Sequence, residues 1–142
     1  MVSLADISTA IEGSSPAQGR RAMAAQLLAA GERSLEAWLE AHAIAPTATE
    51  REGFRLLALH HQGAKEDPSF NACRETCREL AFYYNVAVGD YERYDPDKSL
   101  AMMRHVARHL YLFVSGKLQE NKLGEFCCSS RPTRGRDAAL AD

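Results

Sequence analysis

Apolar side chains along this chain recur at three- and four-residue intervals, with polar residues filling the gaps. Leu4, Ile7 and Ile11 form the first such stripe. Phe70, Cys73, Cys77, Leu80, Ala81, Tyr84 and Val88 form another, with Arg74, Glu75, Arg78 and Glu79 lying outside it. Met103, Val106, Ala107, Leu110, Phe113 and Val114 form a third. This spacing keeps side chains on one face of an α-helix and does not match the strict alternation of a half-buried strand.

Stop and start signals flank these stripes. Ser15-Pro16, Asp67-Pro68 and Asp95-Pro96 each place an N-cap residue before a proline at the first helical position. Ser15 with Gln18, and Thr47 with Glu50, have the spacing of a capping box. Gly89 and Gly124 stand where C-terminal caps are expected. Together these signals predict helices over 16–43, 48–64, 68–88 and 96–122, preceded by a short one over 3–12. Residues 83–88 are the most strand-like run, but they continue a helical face without a break. Short connections favour antiparallel neighbours. The expected fold is therefore all-α, an antiparallel bundle of four main helices plus a short N-terminal helix. One helical domain is expected over 1–128. A flexible tail should follow over 129–142, because Ser129-Ser130-Arg131-Pro132-Thr133-Arg134-Gly135-Arg136 lacks a periodic apolar face.

Composition narrows the functional classes. At 142 residues the chain can bury a genuine core. Seventeen Lys and Arg against nineteen Asp and Glu leave a net charge of −2, which supplies no basic field for nucleic acid. The N-terminus lacks the basic start and apolar run of a signal peptide, and no stretch reaches the ~18 apolar residues of a membrane span. The expected setting is cytoplasmic and reducing, where four cysteines read as thiols or metal ligands before disulfides.

Candidate chemistry follows from two i, i+4 pairs. Cys73 and Cys77 share one helix face, as do His105 and His109 on another helix. Two thiolates and two imidazoles suit zinc or copper, and thiolates also suit iron–sulfur centres. His60 points inward and is a substitute ligand. The adjacent Cys127 and Cys128 would capture or release an ion from beyond the last helix. Haem held by an inward histidine ranks behind these, since no CxxCH attachment motif is present. His42 and His61 have no partner in register. Cys73 and Cys77 should be buried with or without a metal.

Phosphate-cradling glycine loops, G-x-S-x-G, H-E-x-x-H and the Glu-x-x-His motif of di-iron bundles are all missing, which argues against an enzyme. The leading expectation is a small helical protein that binds a metal or metal-containing cofactor as a sensor, carrier or accessory factor. The alternative is a metal-free module for dimerisation or partner binding. It draws support from Phe82, which projects to the charged side of its helix.

Overall fold

The computed structural model describes residues 3–89 and 91–120. Five α-helices make up its regular structure: α1 (Leu4–Glu12), α2 (Arg20–Ala41), α3 (Arg55–Glu66), α4 (Arg74–Val88) and α5 (Pro96–Glu120). Two 3-10 segments, Pro16–Gln18 and Pro68–Cys73, lead into α2 and α4. No strand occurs among the described residues; an isolated bridge pairs Arg51 with Phe54. The protein is all-α, as the periodicity predicts, and α2 packs against each of the other four helices. Among the described residues, no helix is long and apolar enough to cross a membrane.

The stripes read from the sequence are the buried faces. Leu4, Ile7 and Ile11 of α1 are buried, as are Met103, Val106, Ala107, Leu110 and Val114 of α5. They join one cluster with Leu27, Leu35, Trp38 and Leu39 of α2 and with Leu56 and Leu59 of α3. Each of these side chains larger than alanine contributes roughly 1.5–3 kcal/mol through removal from water. The elements therefore hold together by packing more than by intrinsic helix propensity.

Glycine sets the closest approach. A Cβ on Gly31 would lie 2.5 Å from Leu80 Cδ2, 3.2 Å from Leu56 Cδ1 and 3.5 Å from Leu110 Cδ2. Helices α2, α3, α4 and α5 thus converge on one position that admits no side chain. Gly63 plays the same part for Phe70, whose ring carbons would lie 2.8 Å from an added Cβ.

Three helix starts differ from expectation. Ser15 forms the expected capping box with Gln18, but the box opens only a 3-10 turn. Gly19, at φ 102°, then resets the chain before α2 begins at Arg20. Asp67 accepts from Ser69 N as an N-cap, again on a 3-10 segment, and α4 proper starts at Arg74. The helix expected from residue 48 begins instead at Arg55. There Thr47 Oγ1 accepts from Thr49 N at 3.1 Å. Glu52 and Gly53 then adopt φ 54° and 85°. Arg51 and Phe54 exchange backbone hydrogen bonds of 3.0 and 2.9 Å around this tight turn. The threonine's local hydrogen bond competes with helix initiation, and the turn ends any helical path. Gly89 follows α4 as expected, its N–H donating to Asn85 O. Gly124 and the expected tail lie outside the described residues.

The end of α2 is a Schellman motif built on the wrong residue. Ile44 N donates to Leu39 O at 2.9 Å and Ala43 N to Glu40 O at 3.0 Å. The left-handed position is taken by Ala43, at φ 59°, where glycine carries no Cβ penalty. Ala43→Gly should therefore stabilise the protein by about 0.5–1 kcal/mol, read as a higher urea midpoint with an unchanged slope. Gly31→Ala should act in the opposite sense, costing about 1–3 kcal/mol through overpacking. A neutral Gly31→Ala variant would show that the four-helix junction has room to relax.

Candidate functional site

The thiols sit where the chain passes from its second 3-10 segment into α4. Cys73 ends that segment and is the N-cap residue of α4, and Cys77 lies one turn further on. Both are buried, with relative exposures of 1% and 0%. The expectation that they face the core is met. They are free cysteines.

Histidine 60 reaches them from α3. It is buried, its ring lies 5.8 Å from the Phe70 ring at an interplanar angle of 19°, and its Nε2 is 3.2 Å from Phe70 O. The Cys73 Sγ donates to the same carbonyl at 3.2 Å. Cys77 and His60 both act on the protonation of Cys73. One thiol and an imidazole thus meet at one backbone oxygen inside an otherwise apolar core, with Cys77 one turn along α4.

This arrangement separates the two thiols chemically. A hydrogen bond from Cys77 draws the Cys73 thiol below its ordinary pKa; burial opposes the shift, and His60 assists it. Cys77 moves well above the ordinary range, because it supplies that hydrogen bond and sits in a dry environment beside Cys73. The Phe70 carbonyl competes for the Cys73 proton. One acidic thiol and one reluctant one result.

His105 and His109 occupy a different place. Both are exposed on the outer face of α5, with ring centroids 6.4 Å apart and planes at 72°. The thiols face the core while these rings face solvent, so the structure does not gather them into one shell. Among the described residues there is no group of three or more His, Cys, Asp or Glu disposed to hold a metal ion. Cys127 and Cys128 lie outside the described residues. His42 is committed elsewhere, with Nδ1 2.8 Å from Trp38 O and its ring stacked 4.0 Å from the indole.

Two further features mark the surface, one of them beside His60. A polar cleft of about 110 Å³ is lined by His60, His61, Asn71, Arg51, Arg74 and Arg78, among others. His61 is held below its usual pKa, first by desolvation and then by the Arg51, Lys65 and His60 charges. Arg78 makes a two-pronged pair with Glu52, both contacts at 3.1 Å. Nothing in the spacing of Arg51, Arg74 and Arg78 could have revealed this cleft, because the turn at Glu52-Gly53 brings them together. The second feature is an aromatic patch. Phe82 is 46% exposed, as its register predicts, and Tyr94 packs edge-on against it at 5.8 Å, with Tyr91 54% exposed nearby.

No protein-family model, curated protein or solved structure matches this chain.

The two thiols should respond differently to pH. A group with a lowered folded pKa adds stability above its unfolded value and loses that contribution as pH falls through the folded one. For Cys73, the stability contribution should therefore fall as pH decreases from the ordinary thiol range. Comparing Cys73→Ser with the parent across that range by urea denaturation reads the contribution of the thiol pair, since Cys73 is also the first cause of the Cys77 shift. A pH-independent difference would place both thiols in the protonated state throughout.

Proposed function

We propose that this chain is a small helical metal-binding protein, acting in a reducing, cytoplasmic setting as a sensor, carrier or accessory factor. Its ion site is the Cys73–Cys77 thiol pair; His60, which is not disposed as a ligand in the structure as it stands, would turn in as a third donor when an ion binds. One observation carries the reading: two buried thiols, one of them acidified, meet a buried imidazole that comes from another helix. Thiolates are the active metal ligands, so an acidified cysteine is the one that loads first.

Ligand number points to a soft ion of low coordination. Thiolates select copper(I), zinc and iron–sulfur centres. Structural zinc takes four ligands, and iron–sulfur clusters take four thiolates. Two thiols with a single imidazole as a further donor fall short of either set, which favours copper(I). Cys127 and Cys128 would serve as the arm that delivers or withdraws the ion.

Anaerobic titration of the full chain with copper(I), against a competing chelator, tests this. One ion per chain should bind, with sulfur-to-metal charge-transfer absorbance and a raised melting temperature. Replacing Cys73 and Cys77 by serine should abolish all three effects, whereas Cys127→Ser with Cys128→Ser should keep the stoichiometry. Unchanged binding in the Cys73/Cys77 double variant would remove these thiols as required ligands.

The aromatic patch favours a second reading, a partner-binding module. Phe82, Tyr91 and Tyr94 line a groove of about 640 Å³ with Val86 and Arg93, a composition typical of interaction hot spots. On that reading Phe82→Asp would abolish a complex and leave copper binding untouched.

A further inference from the structure

The outer face of α5 is unusual for a helix exposed to water. Lys98, Ala101, Met102, His105, His109 and Leu112 occupy it, and no carboxylate occurs between Asp97 and Glu120. Met102 and Leu112 are each 39% exposed. The nearest arginine on its flank is already engaged, since Arg108 pairs with Glu12 of α1 at 2.7 Å. A face meant only for solvation would carry mixed charge.

We propose that this face binds a divalent transition-metal ion through His105 and His109, and that a second copy of the chain completes the site. The inference is independent of the thiol cluster. Two imidazoles four residues apart project from one helix face, and their ring centroids stand 6.4 Å apart. A tetrahedral ion with nitrogens at about 2.0–2.1 Å would bring those centroids to roughly 5 Å. Both side chains are exposed, so χ rotation alone closes that difference, with no movement of the backbone.

Two imidazoles fill half of a tetrahedral shell, and no third donor group stands beside them among the described residues. The face is self-complementary about the level of Ala107. His105 and His109 lie at equal distances on either side of it, as do Met102 and Leu112. Two antiparallel α5 helices related by a two-fold axis would set His105 against the second copy's His109, and Met102 against the second copy's Leu112. Four imidazoles would then surround one ion, with an apolar pair closing each end. The stripe from Met102 to Leu112 is about 15 Å long at 1.5 Å per residue. Such a strip is far short of the ~1,200 Å² that stable interfaces bury, so the ion is needed to hold the dimer.

Sedimentation velocity of the full chain with added zinc chloride tests this. A monomer should convert to a dimer, saturating at one zinc per two chains and reverting with chelator. His105→Ala and His109→Ala should each abolish the conversion; both positions are exposed, so the fold is kept, as helical circular dichroism would verify. Leu112→Glu should weaken dimerisation at least tenfold. The Cys73→Ser/Cys77→Ser variant should still dimerise with zinc, whatever it does with copper(I). A chain that stays monomeric in excess zinc, or that dimerises equally in the histidine variants, would overturn the proposal.

Discussion

Phe70 is the contact on which the rest of the structure depends. Its ring lies 4.6 Å from Trp38 of α2, 5.8 Å from His60 of α3 and 5.9 Å from Phe113 of α5. The ring reaches these neighbours because Gly63 leaves α3 bare at the point of contact. Aromatic contacts of this kind add about 0.5–1.5 kcal/mol beyond area burial, and three of them meet on one side chain. The backbone oxygen of the same residue accepts from both Cys73 and His60. Core packing and candidate chemistry are therefore fastened at one residue.

That coupling explains how polar groups persist in this interior. An unsatisfied buried donor costs roughly 1–3 kcal/mol, and the thiol and imidazole avoid that cost by sharing the Phe70 carbonyl. Trp38 shows the contrast, since its buried Nε1 has no hydrogen-bond partner among the described residues. A cluster that is satisfied as it stands can act as a ligand set only by exchanging thiol protons for an ion. Metal binding at Cys73 and Cys77, as proposed, would consequently be tied to proton release. The two proposed sites would also differ in character: a dry, soft thiol site inside the core and a borderline imidazole site on the surface.

Polar contacts position the loop that frames the neighbouring cleft. Gln62 accepts from Thr47 N at 2.9 Å and donates to Ala45 O at 2.8 Å, which clamps the connection between α2 and α3 onto α3. Arg55 reaches Thr47 O at 2.9 Å and pairs with Glu36 of α2. Burial raises the Glu32 carboxyl beside this pair, and the Arg55 charge opposes that rise. These contacts hold the Arg51–Phe54 turn, and with it Arg51, against the side of α3.

By itself the sequence determined the helical class, the buried stripes of α1, α4 and α5, the inward direction of Cys73, Cys77 and His60, and the outward direction of Phe82. All of these follow from a period of 3.6 residues, a local property of the backbone. Helix starts were less legible, because Thr47 and Gly53 make local hydrogen bonds and turns that compete with capping signals of the same composition. Only the tertiary structure decided which metal-capable side chains meet. Spacing along a helix cannot set the rotation of one helix against another, and packing at Gly31 and Phe70 sets it here. It turned the thiols of α4 toward His60 of α3 and left the histidines of α5 facing water.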